Sequence, residues 1–263
     1  MHSLPSPAFS LSLLFLIALP WCHAAGPLAE YCNSWSVTPE ASEIIARLLA
    51  TLQSKAPSGG FYTTSAGRVK NRAYGLAQCR QDVSVPGCRA CLKDAAVQLP
   101  ERCPAEAEAW MWFDHCLVHY GTRPFRGELD ISYGVVDSNE TNVTENAVEQ
   151  QRFNRDLRSL MGKVRAQAAA RRNLGLGRGQ TKFSPNVTIY ALAQCTRDLP
   201  PLACSNCISS ASGDFPEFCL HKKACRALYS GCYVRYELYP FFFPLAVGSS
   251  RASEPSVSVV ISP

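Results

Sequence analysis

The sequence predicts an α+β protein made of two copies of one unit in tandem. Three observations carry that reading. Cysteines spaced C-x8-C-x2-C occur twice, in LAQCRQDVSVPGCRACL (76–92) and in LAQCTRDLPPLACSNCI (192–208), 116 positions later. A helical apolar stripe precedes each motif, and runs rich in aromatic and β-branched residues follow it. The chain has 263 residues, enough for two modest domains.

The elements follow in chain order. Leu11 to Leu19, LSLLFLIAL, is an apolar run of signal-peptide length, followed by PWCHAAG with small residues suited to cleavage after Ala24 or Ala25. Residues 1–25 are therefore expected to be a signal peptide. The run is too short to span a bilayer, which takes about 20 apolar residues. Its removal takes Cys22 with it and leaves twelve of the 13 cysteines, an even number. Three sequons, at Asn139, Asn142 and Asn186, agree with secretion and are candidate glycosylation sites.

In the first copy (26–136), Ile44, Ile45, Leu48, Leu49 and Leu52 fall on one helical face. Cys91, Leu92, Ala95, Ala96 and Leu99 form a second stripe, with the C-x2-C pair at its start. AWMWFDHCLVHY then reads as strand. The polar stretch DSNETNVTENAVE (137–149) is expected to be a linker. The second copy (150–243) repeats the plan: Phe153, Leu157, Leu160, Met161 and Val164 on a helix, the motif, and ALYSGCYVRYELYPFF as strand. The end, 244–263, is expected to be a loose, mostly disordered tail.

The repeat extends beyond the motif. Cys79, Cys88, Cys91, Cys103 and Cys116 recur as Cys195, Cys204, Cys207, Cys219 and Cys232, and Tyr74, Gln78 and Asp82 as Tyr190, Gln194 and Asp198. A structural zinc site usually needs four Cys or His ligands in two close pairs, and each copy has a single C-x2-C. A thioredoxin-like centre needs a βαβ setting. Outside the cell thiols oxidise, so three disulfides per copy are expected, and no metal or cofactor. Six cysteines allow fifteen connectivities. The copies constrain each other: Cys32 has no counterpart at the matching offset, where Val148 stands, and Cys225 is found only in copy two. The odd cysteine most simply bonds the shared Cys103 or Cys219, giving Cys32–Cys103 and Cys219–Cys225. The remaining four in each copy can pair as Cys79–Cys88 with Cys91–Cys116, and Cys195–Cys204 with Cys207–Cys232.

Other signals are weaker. The net charge of +5 is mild, and the basic segment Lys163 to Lys182 reads as a solvated helix end and loop, so no nucleic-acid partner is expected. Trp110 and Trp112 stand two apart on one strand face, suited to core or interdomain packing. His115, His119 and His221 have no free thiolate or nucleophile-elbow serine beside them. No enzyme activity is expected.

The tandem C-x8-C-x2-C behind a signal peptide, with YALAQCTRDL and CYVRYELYPFF in copy two, resembles the plant cysteine-rich repeat secretory proteins and their ginkbilobin-homology domain. The resemblance runs from about Tyr31 to Phe243. It implies two helices on a five-stranded antiparallel sheet per domain, and the same bridge pairing for copy one. It implies a secreted, non-enzymatic defence protein of the plant apoplast, either antifungal or binding mannose-type glycans through an Asn, an Arg and a Glu, or an extracellular protein–protein module without sugar binding. The Asn directly follows the first cysteine of the domain and is Asn33 here. The Arg and Glu positions hold Trp110 and Gly121 in copy one, and Arg226 and Glu237 in copy two. The Asn position of copy two falls near Val148 and Glu149, so neither copy is expected to hold all three.

Overall fold

A computed structural model describes residues 26–243 and 256–261. The expected signal peptide lies outside the described residues. The first copy runs β1 (Ala29–Cys32), α1 (Pro39–Gly59), β2 (Phe61–Ala66), β3 (Ala73–Cys79), α2 (Val85–Arg102), β4 (Glu108–Trp112) and β5 (Cys116–Gly121). The second runs β6 (Gly134–Asn139), α3 (Ala147–Ala169), β7 (Leu176–Ser184), β8 (Val187–Cys195), α4 (Pro201–Gly213), α5 (Phe215–Phe218), β9 (Cys225–Tyr229) and β10 (Cys232–Glu237). A last strand, β11 (Ser256–Ile261), follows.

Both sheets are antiparallel and share one topology. The first has the order β1-β4-β5-β3-β2. The second has β6-β9-β10-β8-β7, with β11 added outside β6. Each copy is therefore two main helices on a five-stranded sheet.

Helices α1, α2 and α3 begin where side chains cap their free N–H groups. Thr38 Oγ1 accepts from Ala41 N, Ser84 Oγ from Gly87 N, and Asn146 Oδ1 from both Val148 N and Glu149 N. Their apolar stripes are buried: Leu48 and Leu52 of α1, and Phe153 and Val164 of α3, have no exposed surface. In the second copy α3 lies so close to β7 that a Cβ on Gly177 would sit 1.9 Å from the Val164 carbonyl oxygen. Only glycine admits that approach.

Six disulfides tie the helices to the sheets: Cys32–Cys103, Cys79–Cys88, Cys91–Cys116, Cys195–Cys204, Cys207–Cys232 and Cys219–Cys225. Two spans recur, of 9 and 25 positions. The third differs, because Cys32 reaches back from β1 across 71 positions, whereas Cys225 of β9 lies six from Cys219.

Two expectations change. The stretch 137–149 is not a linker, because Asp137 and Ser138 pair with β9 and Ala147 opens α3. Its first residues are polar strand residues, and Asp137 is paired with Arg226 across the sheet, which is why they lack a core pattern. The expected loose tail also contributes structure, since residues 256–261 pair with all of β6.

The sheets face each other. Trp110, Trp112, Leu117 and Leu76 of the first pack with Leu192, Leu228, Tyr233 and Val135 of the second. The polar groups at this junction are paired across it. Gln194 Oε1 accepts from Gln81 N, and at the equivalent place Gln78 Oε1 accepts from Arg197 N. Gln78 Nε2 donates to the Cys195 carbonyl, and Trp112 Nε1 to the Tyr229 carbonyl. Gln78 and Gln194, 116 apart, thus accept matching amides, as in a two-fold dimer made from one chain.

Candidate functional site

The polar end of the second sheet is built by strand alternation. Successive side chains on a strand point to opposite faces. On β6, Val135 faces the first copy, so Asp137 and Asn139 share that face. Leu228 and Arg226 follow on β9, and Tyr233, Arg235 and Glu237 on β10. The apolar centre of the face thus gives way to Asp137, Asn139, Arg226, Arg235 and Glu237.

The register corrects the position of the missing asparagine. Cys32 of β1 pairs with Ala109, and Ser138 of β6 pairs with Cys225, the repeat of Ala109. Ser138 therefore occupies the place of Cys32, not Val148. The next residue, Asn139, is the counterpart of Asn33. The cysteine offset of 116 fails here because Ser138 to Cys195 spans 57 positions against 47 from Cys32 to Cys79. Most of the extra length lies in α3 and at its ends, outside the sheet. Pairing strands rather than cysteines finds the residue.

Asn33 does not join Arg226 and Glu237. It sits at the end of β1, where its Oδ1 accepts from Trp35 N and Glu108 N and closes a turn. The equivalent places beside it hold Trp110, stacked with Tyr31 and edge-on to Tyr133, and Gly121. The two tryptophans are buried between the copies, at 2% and 4% exposure, so neither offers a free ring.

In the second copy Arg226 forms an ion pair with Asp137, and Glu237 with Arg235 at 2.7 Å. Arg235 also reaches Asp114 of the first copy at 2.8 Å and Tyr239 Oη at 3.0 Å. Burial pushes the Glu237 carboxyl above its ordinary range, while Arg235 and Arg226 pull it back down. Burial alone would lower the Arg235 guanidinium, but Tyr233, Asp114 and Glu237 raise it well above its usual value. Asp137 Oδ1 and Arg226 Nε are buried without a hydrogen-bond partner. A carboxylate acceptor and a guanidinium donor suit hydroxyl groups, which both donate and accept. Of the sequons, Asn139 is only 6% exposed and its Oδ1 accepts from Thr141 N, a poor setting for a glycan. Asn186 is exposed in the turn between β7 and β8. Among the described residues, no group of three His, Cys, Asp or Glu is placed to hold a metal ion, and no helix is long and apolar enough to cross a membrane.

A family model described as salt stress response/antifungal matches residues 31–123 and 138–239, one match per copy. The chain belongs to this family. Cysteine-rich repeat secretory protein 55 of Arabidopsis thaliana is 42% identical over 94% of this chain and 95% of its own length. The antimicrobial ginkbilobin-2-like protein of Castanea crenata is 36% identical over 90% of this chain and 98% of its own. The tandem DUF26 ectodomain of the Arabidopsis thaliana cysteine-rich receptor-like protein PDLP8 shares the fold, with a TM-score of 0.68 at 22% identity over 80% of this chain and 97% of that one. The salt stress response/antifungal family thus includes secreted cysteine-rich proteins with the same tandem plan. Some of its members are fused to kinases: a cysteine-rich receptor-like protein kinase of Arabidopsis thaliana matches over only 28% of its length.

Proposed function

We propose that this chain is a secreted, non-enzymatic defence protein of the plant apoplast whose second copy binds mannose-type glycans through Asn139, Arg226 and Glu237. One observation carries the reading. The three residue types that the family resemblance assigns to mannose binding stand on one face of adjacent strands, β6, β9 and β10. Their side chains offer an amide, a guanidinium and a carboxylate, which together match the mixed donors and acceptors of vicinal hydroxyls. Asn33, expected from the cysteine motif, is left out because its strand belongs to the other copy. Pull-down on immobilised mannan tests the reading. Wild-type protein is expected to be retained and eluted by mannose, and Arg226→Ala with Glu237→Ala is expected to lower retention at least tenfold. Unchanged retention of the double variant removes these residues from the role.

A second reading is favoured by a specific observation: Arg226 and Glu237 already have partners in Asp137 and Arg235. A satisfied ion-pair network suits a structural edge, and the chain then serves as an extracellular protein–protein module without sugar affinity. A glycan array with no signal, alongside a defined protein partner from apoplastic fluid that binds with saturable affinity, would select this reading.

A further inference from the structure

The two copies meet along a shared face, and each end of that face has a cleft. One is plugged by the chain itself. Arg80, 3% exposed, reaches into it and pairs through Nε with Asp82 Oδ1 at 2.7 Å. Its Nη1 reaches Asp114 Oδ1 at 3.5 Å and its Nη2 donates to the Phe241 carbonyl. The Phe243 amide donates to Asp82 Oδ2 at 2.8 Å and closes the plug.

The other end repeats this backbone without the cation. The repeat of Phe243 is Gly127, whose amide donates to Asp198 Oδ2 at 2.8 Å, and Asp198 is the repeat of Asp82. Thr196 N bonds the Gly231 carbonyl just as Arg80 N bonds that of His115. The side chains differ: Thr196 stands for Arg80 and Ser230 for Asp114. The oxygen equivalent to the one that holds Arg80 is Asp198 Oδ1, buried and without a hydrogen-bond partner. A cavity of about 530 Å3 opens here, a volume in the range of small-ligand sites. Glu108, Glu128, Asp130 and Asp198 line it, against Arg123 and His119. His119 is occupied, 3.1 Å from Glu108 and stacked on Phe125 with ring centroids 3.8 Å apart.

We propose that this cleft between the copies takes a guanidinium or primary ammonium group of an extracellular ligand, at the place that Arg80 fills at the other end. An unpaired buried carboxylate oxygen is costly, and a cation that reaches it gains a charge-assisted bond. Phe125 is the repeat of Phe241, and each ring already carries the same repeat position, Arg235 over Phe241 at 4.4 Å and His119 on Phe125 at 3.8 Å, so the entering cation is left to the carboxylates. The same chemistry is offered by a free polyamine and by an arginine side chain of a peptide. The inference does not rest on the glycan reading, whose residues lie at the plugged end.

Isothermal titration of the secreted, disulfide-intact protein tests it, with agmatine, spermidine and a short arginine-containing peptide as titrants and the uncharged N-acetyl-alanine amide as control. Saturable binding of at least one cation is expected, and none of N-acetyl-alanine amide. The tightest titrant tells whether a free amine or a peptide is the source. Thr196→Arg rebuilds the plug inside the cleft and is expected to weaken binding at least tenfold while the fold, read by circular dichroism, is kept. Where that variant does not fold, Asp198→Asn decides, because the amide oxygen can keep the Gly127 bond while the charge is lost. The same tenfold weakening is expected. No saturable binding to wild type, or unchanged affinity in a folded variant, overturns the proposal.

Discussion

Glu237 lies between opposing influences. Burial favours its neutral form, and two guanidinium groups favour the charged one, with burial the larger. A carboxyl whose pKa is higher folded than unfolded holds its proton more tightly in the native state. Its stabilising contribution is then complete below the ordinary value of 4.5 and fades as pH rises through the folded value. Wild-type protein is therefore expected to lose, between pH 4 and pH 7, a part of its stability that Glu237→Gln does not lose. Urea midpoints of the two proteins at both pH values check this. Parallel changes in the two would remove the effect. At this scale the family resemblance pointed to Arg226 and Glu237, through their places on either side of Cys232. It hid Asn139, because no cysteine marks β6 and the insertions beside α3 break the offset. Asp137, Arg235 and Asp114 were also hidden, since ion pairs between distant strands leave no local pattern.

The helices and central strands were legible for simple reasons. Leu48, Leu49 and Leu52 repeat at helical spacing because one side of α1 meets the sheet, and Tyr233, Val234 and Tyr236 mark a strand buried on both faces. β6 was not legible. GVVDSN carries Asp137 and Asn139, which read as loop until Arg226 is set across from them. Of the described glycines, Gly177 leaves the least room for a side chain. Gly177→Ala forces α3 away from β7, at a cost of about 1–3 kcal/mol by overpacking. Thermal melts check this, and a melting temperature equal to wild type would contradict the close approach. The bridges make a graded prediction. Closing a longer loop removes more freedom from the unfolded chain, so losing Cys32–Cys103 should cost about 4 kcal/mol and losing Cys219–Cys225 about 2 kcal/mol. Denaturant unfolding of the two paired-serine variants checks the order.

As a whole, the molecule is one unit written twice and folded against itself. Its centre keeps the symmetry: Leu76 faces the junction as Leu192 does, and Gln78 and Gln194 accept matching amides. Its ends have diverged, and the divergence is where function is proposed. One end has Arg80, Arg235 and Glu237 where the other has Thr196, His119 and Gly121, so one is filled with internal ion pairs and the other is open. This arrangement requires that the copies do not separate while either stays folded. Urea unfolding followed by two probes tests that requirement most directly. Tryptophan fluorescence reports mainly the junction, through Trp110 and Trp112, and far-ultraviolet circular dichroism reports the helices of both copies. A single transition with coincident midpoints is predicted. Loss of the tryptophan signal ahead of the helical signal, or two separate helical transitions, would contradict it.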